Sequence, residues 1–433
     1  MLAKPLADWL AARGLHYGWV IVAVTFLTAL TTSGAVGVPG ALILPLTKEF
    51  GWDTAQISSA LALRLLLFGL MAPFAAALIE RYGVRRIVLV AIALIVVGLL
   101  SAFTMTAVWQ MVLFWGVIIG VGTGLTAVVL GAIVSTRWFV ARRGLVLGLL
   151  TASTATGQLV FLPLVAWLVD RVGWRLALAP SVAALFLAAL LVFLFMRDRP
   201  SDVGLAAYGE APGTAPTPAP AAPQAAIARA FGVLGEASRV PAFWILVGTF
   251  FICGCSTVGL IQTHFIPLCV DFGMPAVAAA SVLAMMGVFD FFGTIGSGFL
   301  SDRIDNRLLL FWYYGLRGLS LLWLPYSTFT IYGLSIFAIF YGLDWIATVP
   351  PTVRLAAQNF GRERAGIVFG WIFAGHQIGA AVAAYGAGLT RTAWQTYLPA
   401  FFSAGALCLV AALLVWLLRA PDRMAATRPV AAE

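Results

Sequence analysis

Four ionisable side chains stand inside otherwise apolar stretches: Arg64, Asp290, Arg317 and Asp344. A charge in hydrocarbon is costly, so each is a candidate for holding a charged ligand or moving a proton. At about 1.5 Å per helical residue, Asp290 and Arg317 lie about 15 Å into their stretches and Asp344 about 20 Å. His376 lies about 17 Å into its own. All four fall near the middle of a hydrocarbon layer about 30 Å thick. Arg64 lies in the opposite half, about 22 Å from the stretch end marked by Glu80. A guanidinium grips carboxylate or phosphate in a fork. His376 and Gln377 interrupt the small-residue run Ala374-Gly375-His376-Gln377-Ile378-Gly379, where an imidazole can hydrogen-bond a ligand or relay a proton. Gln158 is a comparable polar group in the first half, while Gln262 and His264 sit near a stretch end. No nucleophile–base pair, metal-ligand cluster or phosphate-cradling loop is evident, so neither an enzyme nor a cofactor is expected.

These residues need a scaffold that works in lipid. The chain is 62% hydrophobic and 10% charged with a mean hydropathy of +1.00, far below the roughly 25% charged content of soluble domains. Twelve stretches approach the roughly 20 apolar residues of a transmembrane helix. They are 17–41, 55–79, 87–107, 109–136, 144–168 and 175–196, then 241–269, 276–300, 308–328, 330–353, 365–389 and 395–418. Residues 1–15 are expected to form an interfacial helix. The Pro/Ala-rich run 211–223 cannot bury a core and marks a flexible linker. The organisation is therefore a first bundle at 1–196, a linker at 197–240, and a second bundle with its tail at 241–433. The four cysteines lie in or at the ends of apolar stretches and are read as packing residues.

The net charge of +9 does not gather into a nucleic-acid face. With the N-terminus inside, twenty Lys and Arg fall in cytoplasmic segments. Only Lys48, Arg171, Arg175 and Arg391 fall outside, and Arg64 and Arg317 lie within spans. That asymmetry puts both termini and the linker in the cytoplasm.

The two sets of six are also related. Glu80-Arg81-Tyr-Gly-Val-Arg85 recurs as Asp302-Arg303-Ile-Asp-Asn-Arg307, and at the same offset Arg142, Gly144, Gly148 and Gly157 match Arg364, Gly366, Gly370 and Gly379. The glycines every four positions suit close helix approach. Parallel six-helix repeats place a substrate site at their shared interface near the midplane.

The segments Ala76-Ala-Leu-Ile-Glu80-Arg81-Tyr-Gly83-Val-Arg85-Arg86 and Gly298-Phe-Leu-Ser-Asp302-Arg303-Ile-Asp305-Asn-Arg307 resemble the hallmark loop of the major facilitator superfamily, Gly-x-Leu-Ala-Asp-Arg-x-Gly-Arg-Arg. Ala76 replaces its first glycine, and Asp305 the second-half one. The resemblance implies an all-α membrane protein of twelve transmembrane helices in two pseudo-symmetric six-helix bundles. It also implies that Glu80, Arg81, Arg85, Asp302, Arg303 and Arg307, with Arg142 and Arg364, latch the cytoplasmic side. The plainer alternative is that these charges only set topology. Arg137-Trp-Phe-Val-Ala-Arg-Arg143-Gly144, Phe161-Leu-Pro163-Leu and Tyr17-Gly18-Trp19 resemble the monocarboxylate and oxalate/formate porters. Those porters carry a lysine after a proline in helix 1 and an Arg four residues after the helix-8 Asp. Here Gly40 and Thr294 stand at those places. The Gly-x-x-x-Gly-Pro of drug antiporters is missing from Thr151–Gln158.

In the implied fold helices 1, 4, 7 and 10 line the cavity and 2, 5, 8 and 11 flank it. Asp290 and Asp344 can then reach the path, while Arg317, on helix 9, is expected to pair with one of them. The acid left without a cation is the better proton carrier, and the sequence leaves open which one that is. The expected protein is a monomeric, proton-coupled carrier of a small organic anion, such as a monocarboxylate, in a bacterial inner membrane. Arg64, His376, Gln377, Gln158 and Tyr17 are its candidate substrate contacts. Proton-driven efflux of toxic compounds is the alternative in transport, and a membrane sensor the alternative outside it.

Overall fold

A computed structural model describes residues 3–37, 39–126, 128–210 and 223–418, with no β-strand among them. The first half contains α1 (Gly18–Phe50), α2 (Thr54–Tyr82), α3 (Val84–Ala102), α4 (Val108–Trp138), α5 (Arg143–Ala177) and α6 (Ala179–Phe195). The second contains α7 (Pro241–Asp271), α8 (Ala276–Ser301), α9 (Asn306–Trp323), α10 (Ile331–Phe360), α11 (Arg362–Trp394) and α12 (Leu398–Leu417). Nine of these contain segments individually long and apolar enough to cross a membrane. The others are α5, kinked at Gly173 (φ +81°), and α6, joined to it across a 61° bend, and α9, whose Arg307, Arg317 and Tyr313-Tyr314 lower its hydropathy.

Apolar packing divides the same way. One core runs from Ala3 to Val203 and a second from Val233 to Leu418. Ala41, Leu162 and Ala166 cross over to join the second core, fixing where α1 and α5 touch the other half. The remaining close approaches between halves lie along α2 and α11 and at the tips of α1 and α7. Ser58 lies against Gly388, the Ala55 N–H donates to Thr392 Oγ1 (3.1 Å), and a Cβ at Gly40 would meet the Gln262 carbonyl at 2.7 Å. Glu49, which takes hydrogen bonds from Trp174 and Arg175, marks this end of the bundle.

Toward the other end, marked by Glu80 and Asp302, no side chain and no other helix lies within 4 Å of where a Cβ would sit at Gly148, Gly296, Gly298, Gly366 or Gly370. The expectation that Gly148, Gly366 and Gly370 serve close helix approach is therefore corrected: they face open space, and Gly144 lies outside the described side chains.

Two connecting segments are more ordered than composition suggests. The N-terminal helix Ala3–Ala11 buries Ala3, Ala7 and Leu10, with Arg13 stacked over the exposed Trp9. After α6 the chain folds back under the first half, where the Tyr208 N–H donates to the Trp138 carbonyl (2.8 Å) and Asp198 caps α3. The linker ends in a helix, Pro223–Ala237, lying against α2 and α11; Trp371 Nε1 donates to its Ala230 carbonyl (3.0 Å). The Pro/Ala-rich run 211–222 lies outside the described residues, as does the tail 419–433.

Candidate functional site

The expected continuous tenth span is broken between Trp345 and Thr348. Pro350 and Pro351 have no N–H to give to the preceding turn, so the helix cannot run through them intact. Trp345 N–H takes the Gly342 carbonyl at the three-residue spacing, and Val349 N–H takes that of Ile346. Left over are the N–H of Ile346 and the carbonyls of Asp344, Trp345 and Ala347. Buried backbone groups of this kind must find partners, and α8 and α9 supply them. Asp290 Oδ1 accepts from the Ile346 N–H (2.9 Å), and the Ser297 hydroxyl donates to the Ala347 carbonyl (2.5 Å). Arg317 Nη2 donates to the carbonyls of Asp344 (2.6 Å) and Trp345 (3.2 Å).

Arg317 completes its set with Nε on Asp344 Oδ2 (2.6 Å) and Nη1 on Cys253 Sγ (2.9 Å) and Ser256 Oγ (3.5 Å). A guanidinium has five N–H donors, and five acceptors from α7 and α10 occupy them. The expected pairing of Arg317 is thus made with Asp344. Asp290 receives only neutral donors, the Ile346 N–H and the Thr294 hydroxyl (3.1 Å), and takes part in none of the six ion pairs among the described residues. Thr294 thus serves as a hydrogen-bond donor to the acid. Asp344 keeps one bare oxygen: Oδ1 is buried without a hydrogen bond.

The other polar candidates lie elsewhere. Arg64 is buried on the face of α2 that carries Ile57, Ala60, Leu61 and Leu65. Its Cα backs onto Gly120 of α4, and its neighbour Leu65 packs on the alanines 380, 381 and 384 of α11. His376 is flanked by the rings of Phe250 (4.9 Å) and Phe373 (5.7 Å), its Nδ1 buried and unbonded. Gln377 lies in the α2–α11 seam, where a Cβ at Gly69 would run into it, and its Oε1 has no hydrogen bond. The Gln158 side chain lies outside the described residues. Tyr17 donates to the Phe195 carbonyl (2.7 Å) and packs on Trp138. Its hydroxyl ties α6 to the start of α1. His264 bonds the Ala384 carbonyl (2.8 Å), joining α7 to α11.

The contacts that the charged loops make lie within their own half or with the linker helix, and Glu80 Oε2 and Arg85 Nε are buried without a hydrogen bond. Arg81 lies over the Tyr82 ring and Arg85 over Phe193. The Arg85 N–H is capped by Asp198, which sits under the left-handed Gly83 (φ +87°). Arg142 adopts φ +59° at the exposed start of α5. Asp302 pairs with Arg354, Arg303 stacks on Phe299, and Arg307 bonds Asp305 (2.7 Å) and the Leu418 carbonyl (3.0 Å). Arg364 pairs with Glu236 of the linker helix (2.5 Å). Sequence reasoning missed Asp198, Glu236 and Arg354 as partners. It also missed the π-helical turns Val112–Ile119 and Cys255–Gln262, for which the sequence carries no evident signal.

Comparison with known proteins agrees with this architecture. The pattern of the Major Facilitator Superfamily matches residues 21–384. The chain is 25% identical to the uncharacterized MFS-type transporter YcxA of Bacillus subtilis (strain 168), covering 86% of this chain and 88% of that one. It is likewise 25% identical to monocarboxylate transporter 13 of Rattus norvegicus, over 91% and 87%. Among solved structures, the inward open conformation of the xylose transporter XylE from E. coli matches with a TM-score of 0.71 at 13% identity, over 94% of this chain and 97% of that one. An all-helical bundle with this helix order and a match across most of its length is an integral membrane transporter: the chain belongs to the Major Facilitator Superfamily.

Proposed function

We propose that this protein is a proton-coupled carrier of a small organic anion, a monocarboxylate in the first instance. The rocking units are the halves 1–196 and 241–433, joined by the linker 197–240. The protein acts as a monomer in a bacterial cytoplasmic membrane, with both termini inside, as the distribution of Lys and Arg favours.

The observation that carries this reading is the neutral donor set around Asp290. With Arg317 saturated by Asp344 and by the break in α10, Asp290 is the acid whose charge no contacting cation offsets. It can therefore exchange a proton without dismantling the ion pair. Charge balance supports coupling. The carboxylates and guanidiniums away from the span ends are Arg64 and Arg317 against Asp290 and Asp344, which cancel. Binding only an anion, or only a proton, leaves one net charge in a low-dielectric interior, whereas binding both restores neutrality. The empty and the doubly loaded protein are then the states that reorient readily, which is the requirement for symport. Arg64, with His376 and Gln377 along α2 and α11, supplies the anion contacts. The name of the rat relative, monocarboxylate transporter 13, supports the choice of cargo class.

The test is uptake of labelled monocarboxylates into proteoliposomes. An imposed pH gradient, acid on the substrate side, should drive accumulation, while an imposed membrane potential at equal pH should not. Accumulation that follows the potential, or none for any monocarboxylate, would sink the proposal.

A further inference from the structure

At the Glu80 end, α2, α3, α4, α6 and the segment after α6 enclose a cleft of about 590 Å³. Five arginines line it: Arg81, Arg85, Arg86, Arg137 and Arg199. Only two carboxylates share the lining, Glu80 and Asp198. Asp198 is engaged with the α3 terminus, accepting from the Arg85 N–H at 3.0 Å. None of the six ion pairs among the described residues joins two residues of this lining, although it holds five arginines. Arg85 Nε is buried there without a hydrogen-bond partner. Like charges gathered this closely repel, and an anion with several acceptor oxygens relieves the repulsion.

One wall of the cleft is apolar. The Arg85 guanidinium lies 4.8 Å from the ring of Phe193, which is 55% exposed and continues a stripe of exposed Phe186, Leu187 and Leu190 along α6. In a membrane protein such a stripe faces lipid chains, so the cleft opens where the hydrocarbon meets the headgroups.

We propose that this cleft binds the phosphate of an anionic glycerophospholipid. Arg85 and Arg86 fork onto the phosphodiester oxygens, Arg137 and Arg199 close over the headgroup, and the acyl chains lie along the α6 stripe. A freely soluble phosphate offers the same oxygens but leaves the apolar wall empty, so the two sources are separable.

The experiment uses the full chain in detergent, stripped of lipid and titrated with phosphatidylglycerol, phosphatidylcholine or inorganic phosphate, with thermal unfolding as the readout. Phosphatidylglycerol should raise the unfolding temperature saturably, and the other two should not. Arg85→Gln with Arg86→Gln should weaken the apparent affinity about thirtyfold, the effect of two charges at an anionic lipid surface. Arg86→Gln with Arg199→Gln, both at exposed positions, gives the same reading should the first variant fold poorly. Arg229→Gln with Arg239→Gln removes equal charge from the linker region and should leave the affinity unchanged. Equal shifts with phosphatidylcholine, or retained affinity in both cleft variants, overturn the site. A full response to inorganic phosphate alone overturns the lipid assignment.

Discussion

Arg317 holds Asp344 twice, through the side-chain carboxylate at 2.6 Å and through that residue's own backbone carbonyl at 2.6 Å. The guanidinium is at once the counter-ion of the acid and the cap of the helix segment that ends at it. Removing either partner leaves a buried charge and, for Arg317, also takes the donor from the Asp344 and Trp345 carbonyls at the break in α10. Arg317→Gln or Asp344→Asn should therefore lower stability by about 3–5 kcal/mol, seen as lost expression or a depressed unfolding temperature. The double variant Arg317→Met/Asp344→Leu should regain part of the loss. Wild-type stability in both single variants would show that the pair is dispensable.

Asp290 should behave differently. In Asp290→Asn the amide oxygen can still accept from Ile346 and Thr294, so folding should survive. The variant should be blind to a pH gradient yet still exchange internal for external substrate. Counterflow assays in proteoliposomes separate the two activities. Gradient-driven accumulation at the wild-type level would remove Asp290 from the coupling role.

Much of the fold was legible in the sequence, because lipid forces apolar stretches of fixed length, and the twelve helices follow from that one constraint. Which acid Arg317 would take was not legible: the choice depends on how three helices cross, and sequence separation says nothing about it. Pro350-Pro351 announced a break in α10, but hydropathy smooths over four residues and reads the span as continuous. The glycines Gly148, Gly366 and Gly370 misled for a related reason, since small residues at four-residue spacing occur on open helix faces as well as at helix contacts. Asp198 was hidden among arginines that topology alone explained.

The contact between halves at the Glu49 end has its own test. A side chain at position 388 meets Ser58, and a Cβ there would lie 2.5 Å from its hydroxyl. Gly388→Leu should push α2 and α11 apart at that end, breaking the Ala55–Thr392 bond and opening the outer contact. Distances between spin labels on the exposed positions Gln56 and Gln395 should lengthen in the variant. An unchanged distance distribution in a folded variant would mean the seam yields elsewhere.

The last prediction concerns Arg64, the buried first-half cation in the charge balance. If it grips the cargo, Arg64→Lys exchanges a two-pronged donor for a point charge and should weaken anion binding about tenfold or more, the scale of a charge-assisted hydrogen bond. Arg64→Gln goes further, because it also leaves the interior one negative charge out of balance. That charge is best cancelled by a proton kept on Asp290, so Arg64→Gln should lose proton release along with anion affinity. Adding Asp290→Asn removes the excess charge, and the double variant should recover stability without recovering uptake. Binding measured by isothermal titration with one monocarboxylate, at matched salt and pH, decides the first part. Unfolding temperatures of the single and double variants decide the second. Unchanged affinity in Arg64→Gln would return Arg64 to a packing role between α2 and α4. The case for an anionic cargo would then rest on the names of the relatives alone.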